Sequence, residues 1–299
     1  MKGKDGQLNE KGAVAVIVVL AITAIFGFGA LVLDGGMIHY QKARLQTALD
    51  AAVLAGVRAL EQGSSAAEQA AVETAMANGV QTGELTVSVD TAQGIVEAEA
   101  TRAVPMGLAR VLKLNSVDVS ASSAAGAFAV SGIQGAVPLG VVVQEFVFGE
   151  LYDLKLGDGE NGNYGALALG GTGAANYQEN LRHGFADWVR IGQQIMTEPG
   201  NMATPTETAV LGRIQDCLHQ PPCTFDHFVP GCSRVLKVPI TSAFPNGRGE
   251  VTVLGFAAFF LEGFSESDNS VQGRFVRMHT PGEVEPAGNY GLEMIKLLR

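Results

Sequence analysis

An uncharged apolar run from Ala13 to Leu33 constrains this chain more than any other feature. Its sequence, AVAVIVVLAITAIFGFGALVL, meets the length of about 20 residues that a helix needs to cross a hydrocarbon core. Lys2, Lys4 and Lys11 precede the run, whereas Asp34 follows it directly and the next cation is Lys42. Positive charge favours the cytoplasmic side, so residues 1–12 are expected to form a cytoplasmic tail and everything after Asp34 to lie outside. A cleaved signal peptide is the rival, but its apolar region is about 7–15 residues long and ends at a small-x-small site. The run here passes straight into Leu31-Val32-Leu33-Asp34. Residues 13–33 are therefore expected to be a single-pass, uncleaved anchor in the cell membrane, with membrane lipid as the first partner.

Beyond the span the chain is acidic. It has 20 cations and 30 carboxylates in all; three lysines and two carboxylates precede Asp34, leaving 17 against 28, or −11, for residues 34–299. Such a surface repels phosphate backbones, so nucleic acid is excluded as an expected partner. Hydrophobic residues make up 47% of the chain and charged residues 17%, which suits an anchored protein better than a wholly soluble one.

The pattern after the anchor predicts an α+β protein: the transmembrane helix extends into a helical stalk, which together with a small α/β domain occupies residues 34–130, and a mainly antiparallel β-rich domain follows over 131–299. Ala48, Ala51, Ala52, Ala55 and Ala59 recur at helical spacing and invite close packing, either within the chain or against neighbouring copies or a partner helix. Gly35-Gly36 could bend the long helix. A second helix is expected over Ala66–Asn78, a hairpin over Leu85–Val89 and Ile95–Ala100, a short helix from Pro105 to Leu112 and a strand over Val117–Ser123. Further strands are expected at Val141–Phe148, Leu151–Leu156, Tyr164–Leu169, Val235–Ile240, Val251–Phe260 and Val271–Met278. Helices are expected at Ala174–Gly184 and Pro205–Leu218, the latter with Thr204 as N-cap and Glu207 closing a capping box. Tyr290–Arg299 is too short to assign.

The three cysteines, Cys217, Cys223 and Cys232, fall close together on the side placed outside. In an oxidising compartment two of them are expected to pair, leaving the third free, joined to another chain or one of a set of ligands. His219 and His227 interleave with them as Cys-x-His-x3-Cys-x3-His-x4-Cys, which has donors enough for tetrahedral zinc, although this is not a standard zinc spacing. A local disulfide is the expectation carried forward; no metal, cofactor or catalytic site is assigned.

Other motifs point to turns. Gly157-Asp158-Gly159-Glu160-Asn161-Gly162 matches G-x-G-x-x-G but precedes another strand pattern instead of the helix that a dinucleotide fold requires. It lacks the ligand spacing of an EF-hand, leaving calcium only as an alternative. Gly170-Gly171-Thr172-Gly173 has no P-loop lysine, and Glu198-Pro199-Gly200-Asn201 has turn chemistry. With no G-x-S-x-G elbow and no H-E-x-x-H pair, a non-enzyme is expected. Trp188, Phe146, Phe148, Phe259 and Phe260 are expected to fill the core.

Lys11-Gly12-Ala13-Val14-Ala15, the gap-free span, Asp34-Gly35-Gly36, Leu45-Gln46 and Asp50-Ala51-Ala52-Val53-Leu54-Ala55-Gly56 form one combined pattern. It resembles the TadG-like family of TadE/G-like proteins associated with Flp pilus assembly. The segments Gly162–Gly165, Thr197–Met202 and Gly255–Phe259 look like the extracytoplasmic region of some of these proteins. The resemblance implies an anchored, non-catalytic accessory or minor component of a pilus or related secretion machine, with pilus-assembly or envelope proteins, or further copies of itself, as partners. Its family-motif positions here are Gly12, Asp34, Gly36, Leu45, Gln46, Asp50, Ala51, Ala52, Ala55 and Gly56. The Asp-x-Ser-x-Ser motif of the von Willebrand A-type domain found in many longer members does not occur. The glutamate that prepilin processing wants five residues after the glycine is replaced by Ile17 after Gly12 and by Lys11 after Gly6.

Overall fold

A computed structural model describes residues 10–155, 164–198, 200, 202–229, 231–267, 269–284 and 289–298. The architecture is α+β, a long apolar helix followed by β-rich sheets with few helices. Two compact units divide the chain, one holding residues 1–126 with 297–299 and the other residues 127–296.

The first unit begins with α1, Glu10–Ala59, 50 residues in one helix. At about 1.5 Å per residue it is about 75 Å long. It is long and apolar enough to cross a membrane, and its most apolar stretch buries nothing against the rest of the protein. Gly35 and Gly36 do not interrupt it, and a methyl group at either would meet nothing within 4 Å. Farther along, Leu45, Ala48, Leu49, Ala52 and Val53 are buried on one face. The helix packs on α2, Ser64–Ala77, which buries Ala67, Ala71 and Ala75 at steps of four. Small residues on both sides let the two backbones approach.

Strands β1, Leu85–Asp90, and β2, Ile95–Pro105, form the expected hairpin. Asp90 Oδ1 closes its turn by accepting from the backbone N–H groups of Ala92 and Gln93, and Gly94 takes the positive φ the turn needs. Val96, Ala98, Ala100 and Val104 alternate inward on β2, which packs against α1. The helix expected from Pro105 to Leu112 is replaced by a single 3₁₀ turn, Ala109–Leu112. Pro105 ends β2 instead, because it pairs with Ser116 and the ladder continues through a bond from Met106 N–H to the Asn115 carbonyl. Strand β3, Ser116–Ile133, runs antiparallel to β2 and extends well past the expected end at Ser123.

The second unit carries β4, Leu139–Val142; β5, Leu151–Lys155; β6, Tyr164–Ala166; α3, Ala174–His183; β7, Val189–Arg190; β8, Gln194–Met196; and α4, Ala203–Gln215. It continues with β9, Val235–Thr241; β10, Glu250–Ser265; β11, Ser270–Val276; β12, Met278–His279; β13, Glu283–Val284; and β14, Leu292–Leu298, whose last two residues belong to the first unit. One sheet has the order β5-β11-β10-β9-β4-β6, with β8 added to β10; its pairs are antiparallel except β4 beside β9. Residues 130–133 at the end of β3 pair with β7 and β13.

Strand β10 reads as a continuous apolar run because both its faces are covered. Ala257, Phe259 and Leu261 pack with Tyr177 and Leu181 of α3 and Ala209 and Val210 of α4. Phe256, Ala258 and Phe260 pack on the opposite face, in the same cluster as Val251 and Val253. Odd positions before the register shift at Val253/Gly255 thus share a face with even positions after it, which is what one bulged residue does to a two-residue repeat.

Several expected boundaries move for identifiable reasons. Strand β4 stops at Val142, since Phe146 turns back to stack on Phe275 at 4.1 Å and edge-on against Tyr290. Helix α4 begins at Ala203 behind Met202, so Thr204 is not its N-cap and the capping box with Glu207 does not form. Pro205 is then the third helical residue, where its missing N–H falls among those a helix leaves unpaired. The unassigned end is strand β14.

Candidate functional site

The end of α4 and the start of β9 enclose the cysteine segment. Cys217 closes the helix through a bond from its N–H to the Ile214 carbonyl, and Cys232 makes a turn in which Val235 N–H donates to the Cys232 carbonyl. Arg213 Nη1 donates to the Ser233 carbonyl while Ser233 Oγ donates to the Arg213 carbonyl. Arg234 Nη1 donates to the Cys223 carbonyl, and its guanidinium lies 4.6 Å over the Phe260 ring. These bonds fix both flanks of the loop to the second unit's core.

Within that frame His219 Nδ1 lies 3.6 Å from Cys217 Sγ and 3.4 Å from Cys223 Sγ, and Cys232 Sγ lies 3.6 Å from Cys217 Sγ. All four donor atoms are within 4.8 Å of one another. Cys223 and Cys232 are buried and Cys217 is half-buried. The expected disulfide is not formed: all three cysteines are free thiols. The Cys217–Cys232 sulfur pair, at 3.6 Å, stands well beyond the bonded distance of about 2.05 Å. His227 stays outside the group, its backbone paired in both directions with Thr224.

The cluster polarises its thiols in opposite directions. The His219 ring beside Cys217, helped by backbone N–H groups of Cys223 and His219, lowers that thiol to about 6, so it is a thiolate at neutral pH. Burial pushes the Cys232 thiol up to about 12, with Cys223 and Cys217 adding to the effect. One nucleophilic sulfur beside two buried ones can ligate a soft cation or enter thiol exchange.

The residues expected on the α1 face do structural work inside the first unit. Ala48 and Ala52 are buried there, leaving Ala51, Ala55 and Ala59 half-buried. Gly56 marks the closest approach: a Cβ at this position would lie 2.9 Å from Val96 Cγ1, 3.1 Å from the Ala67 carbonyl oxygen and 3.2 Å from Ala71 Cβ. Asp50 accepts from Gln46 Nε2 at 2.8 Å and Ser123 Oγ at 2.7 Å, and Gln46 also reaches the Ser122 carbonyl. Asp34 accepts from the backbone N–H groups of Gly107, Leu108 and Ala109, at 2.7, 3.4 and 2.7 Å. Those bonds, Ala109 first, hold its carboxyl below the usual carboxylate range. Leu45 is buried, Gly12 lies in the first turns of α1, and Gly36 is open on all sides. The spacing that marks Asp34 as a motif residue gives no hint of its partner 73 residues away.

Other expected motifs are simpler. Gly157–Gly162 lies outside the described residues, as do Pro199 and Asn201 of the second turn and residues 1–9 of the tail. Gly170, Gly171 and Gly173 adopt positive φ ahead of α3, with Asn176 donating to the Leu169 and Gly171 carbonyls. Phe259 and Phe260 are fully buried, whereas Phe146 and Phe148 are only partly so. Trp188, expected in the core, is half-exposed beneath the Arg190 guanidinium at 5.3 Å.

Residues 12–59 match the family model described as "Putative Flp pilus-assembly TadE/G-like". The match supports the TadG-like assignment and ends at the last residue of α1. No curated protein and no solved structure matches the chain.

Proposed function

From a chain whose residues 12–59 are TadE/G-like, we propose a membrane-anchored, non-catalytic accessory or minor structural component of a Tad/Flp-type pilus assembly or related secretion system. The observation that carries this is the fusion, in one helix, of an apolar span to the face that packs the first unit. The span is held in lipid with its amino terminus in the cytoplasm, and the units after Asp34 are displayed outside as a scaffold for pilus-assembly or envelope proteins.

The surface beside Asp34 supports a membrane boundary at that point. The loop whose backbone Asp34 holds leaves Leu108, Val111 and Leu114 exposed, Val111 by 85%. Arg110 and Lys113 lie among them, and residues 101–117 contain no carboxylate in a chain rich in them. Apolar side chains flanked by cations suit the zone between headgroups and acyl chains.

The test is a fusion of alkaline phosphatase after Arg299, expressed in a bacterial host and followed by carbonate extraction of the membranes. Active reporter in the extraction-resistant fraction is the expected result. Inactive reporter, or release of the chain by carbonate, would overturn the anchored, outward-facing arrangement. Cross-linking in a pilus-bearing host, with recovery of pilus-assembly proteins, tests the scaffold role.

A further inference from the structure

We propose that Cys217, His219, Cys223 and Cys232 bind one Zn²⁺ in a closed tetrahedral Cys₃His site that ties the end of α4 to the start of β9. The argument is first metric. Zinc bonds of about 2.3 Å to sulfur and about 2.0–2.1 Å to nitrogen, arranged tetrahedrally, separate two sulfurs by about 3.8 Å and a sulfur from a nitrogen by about 3.6 Å. The observed sulfur pair is 3.6 Å apart, and the two nitrogen-to-sulfur distances are 3.6 and 3.4 Å. A disulfide joins two sulfurs only and gives no reason for a third thiol and an imidazole nitrogen to converge on the same point.

The surroundings fit the same ion. Backbone N–H groups of His219 and Cys223 point at the Cys217 sulfur, and that of Arg234 at the Cys232 sulfur. Such donors stabilise thiolate ligands and fix their orientation. Arg213 and Arg234 tie the loop's flanks in place. Three thiolates and a neutral imidazole are soft, tetrahedral donors of the kind zinc selects. With four protein ligands the coordination sphere has no open position for substrate, so the ion's role is structural. It would compensate for a segment that has little regular structure: between α4 and β9 the described residues contain only the isolated bridge Thr224–His227.

The experiment uses the full-length chain, extracted in mild detergent without chelator. Elemental analysis should find one zinc per chain, and all three thiols should resist maleimide until chelator is added. Replacement by Co²⁺ should give the visible bands of tetrahedral cobalt and a sulfur-to-cobalt charge-transfer band in the near ultraviolet. His219→Ala should weaken metal binding by at least about tenfold. His227→Ala, which alters the histidine outside the cluster, should leave it unchanged. These histidine variants and the cobalt spectrum keep the test open if a cysteine variant fails to fold. A mass lower by two hydrogens with a Cys217–Cys232 cross-linked peptide and no metal would overturn the proposal. So would three freely reactive thiols and no bound metal after incubation with Zn²⁺.

Discussion

Gly56 and Val96 provide a quantitative test of how α1 packs in the first unit. Gly56→Ala has two opposing effects. Removing a glycine from a helix interior stabilises it by about 1 kcal/mol. The new methyl, however, would stand 2.9 Å from Val96 Cγ1 and 3.1 Å from the Ala67 carbonyl oxygen, and overpacking of this kind costs about 1–3 kcal/mol. A net loss of about 1 kcal/mol follows. Val96 is fully buried, so Val96→Ala removes two methyl groups at about 0.8 kcal/mol each and opens a small cavity, a loss of about 2 kcal/mol. In that background the nearest obstacle is gone, but the Ala67 carbonyl oxygen at 3.1 Å and Ala71 Cβ at 3.2 Å remain. The added methyl should therefore cost about 1 kcal/mol less than in the parent chain, leaving the double variant about as stable as Val96→Ala alone, a coupling of about 1 kcal/mol. Gly36→Ala is the control: with nothing within 4 Å it should show only the helix gain of about 1 kcal/mol. Pulse proteolysis in urea on the full chain in detergent reads all four variants. Additivity of the two substitutions within about 0.5 kcal/mol would refute the close approach at Gly56.

Because Trp188 is the only tryptophan, Trp188→Phe gives a silent background for probes of the membrane boundary. In vesicles of mixed zwitterionic and anionic lipid, Val111→Trp should emit to the blue and be quenched by lipids brominated near the glycerol, while Phe26→Trp reports the span itself. Water-like emission that iodide quenches at Val111→Trp, with Phe26→Trp still quenched by lipid, would place the 106–114 loop in water without affecting the anchor. The Glu84–Arg102 pair, doubly bonded at 2.8 and 2.7 Å and mostly shielded from solvent, predicts an acid limb of stability. Arg102 holds the Glu84 carboxyl below its ordinary value of 4.5, so the unfolded chain takes up that proton first as pH falls. The contribution is fully present above about pH 4.5 and is lost as pH falls through the folded value. Glu84→Gln should cost about 1–2 kcal/mol at pH 7 and flatten that limb in a thermal-melt pH series; an unchanged limb would count against the pair.

The legible parts of the sequence were those governed by local periodicity. The apolar length of residues 13–33, the alanine face of α1 and the alternation of β1 and β2 each depend on neighbours in the chain, and each element appears where its period put it. Tertiary contacts decided the rest. Pro105 looked like a helix start because proline suits that position, but its pairing with Ser116 made it a strand end. The N-cap moved from Thr204 to Met202, and Trp188 came out of the core to lie beneath Arg190. In the thiol segment, His219 and His227 both interleave with the cysteines, and only the fold distinguishes the one that meets the sulfurs. The short strands β7, β8, β12 and β13 carry too few residues for any period to show.

The unbroken passage of α1 through Gly35 and Gly36 locks the azimuth of the span to that of the first unit. Along a helix, each residue turns the direction of its side chain by about 100° and advances it by about 1.5 Å. Leu45, Leu49 and Ala52 are committed to the interior, so the side that the apolar stretch would present to a neighbouring helix in a bilayer is already chosen. One residue inserted between Leu33 and Leu45 would swing that side through more than a quarter turn while leaving the length of the span unchanged. A turn of the apolar part of α1 is likewise passed on as rotation to the groups that Asp34 and Asp50 hold.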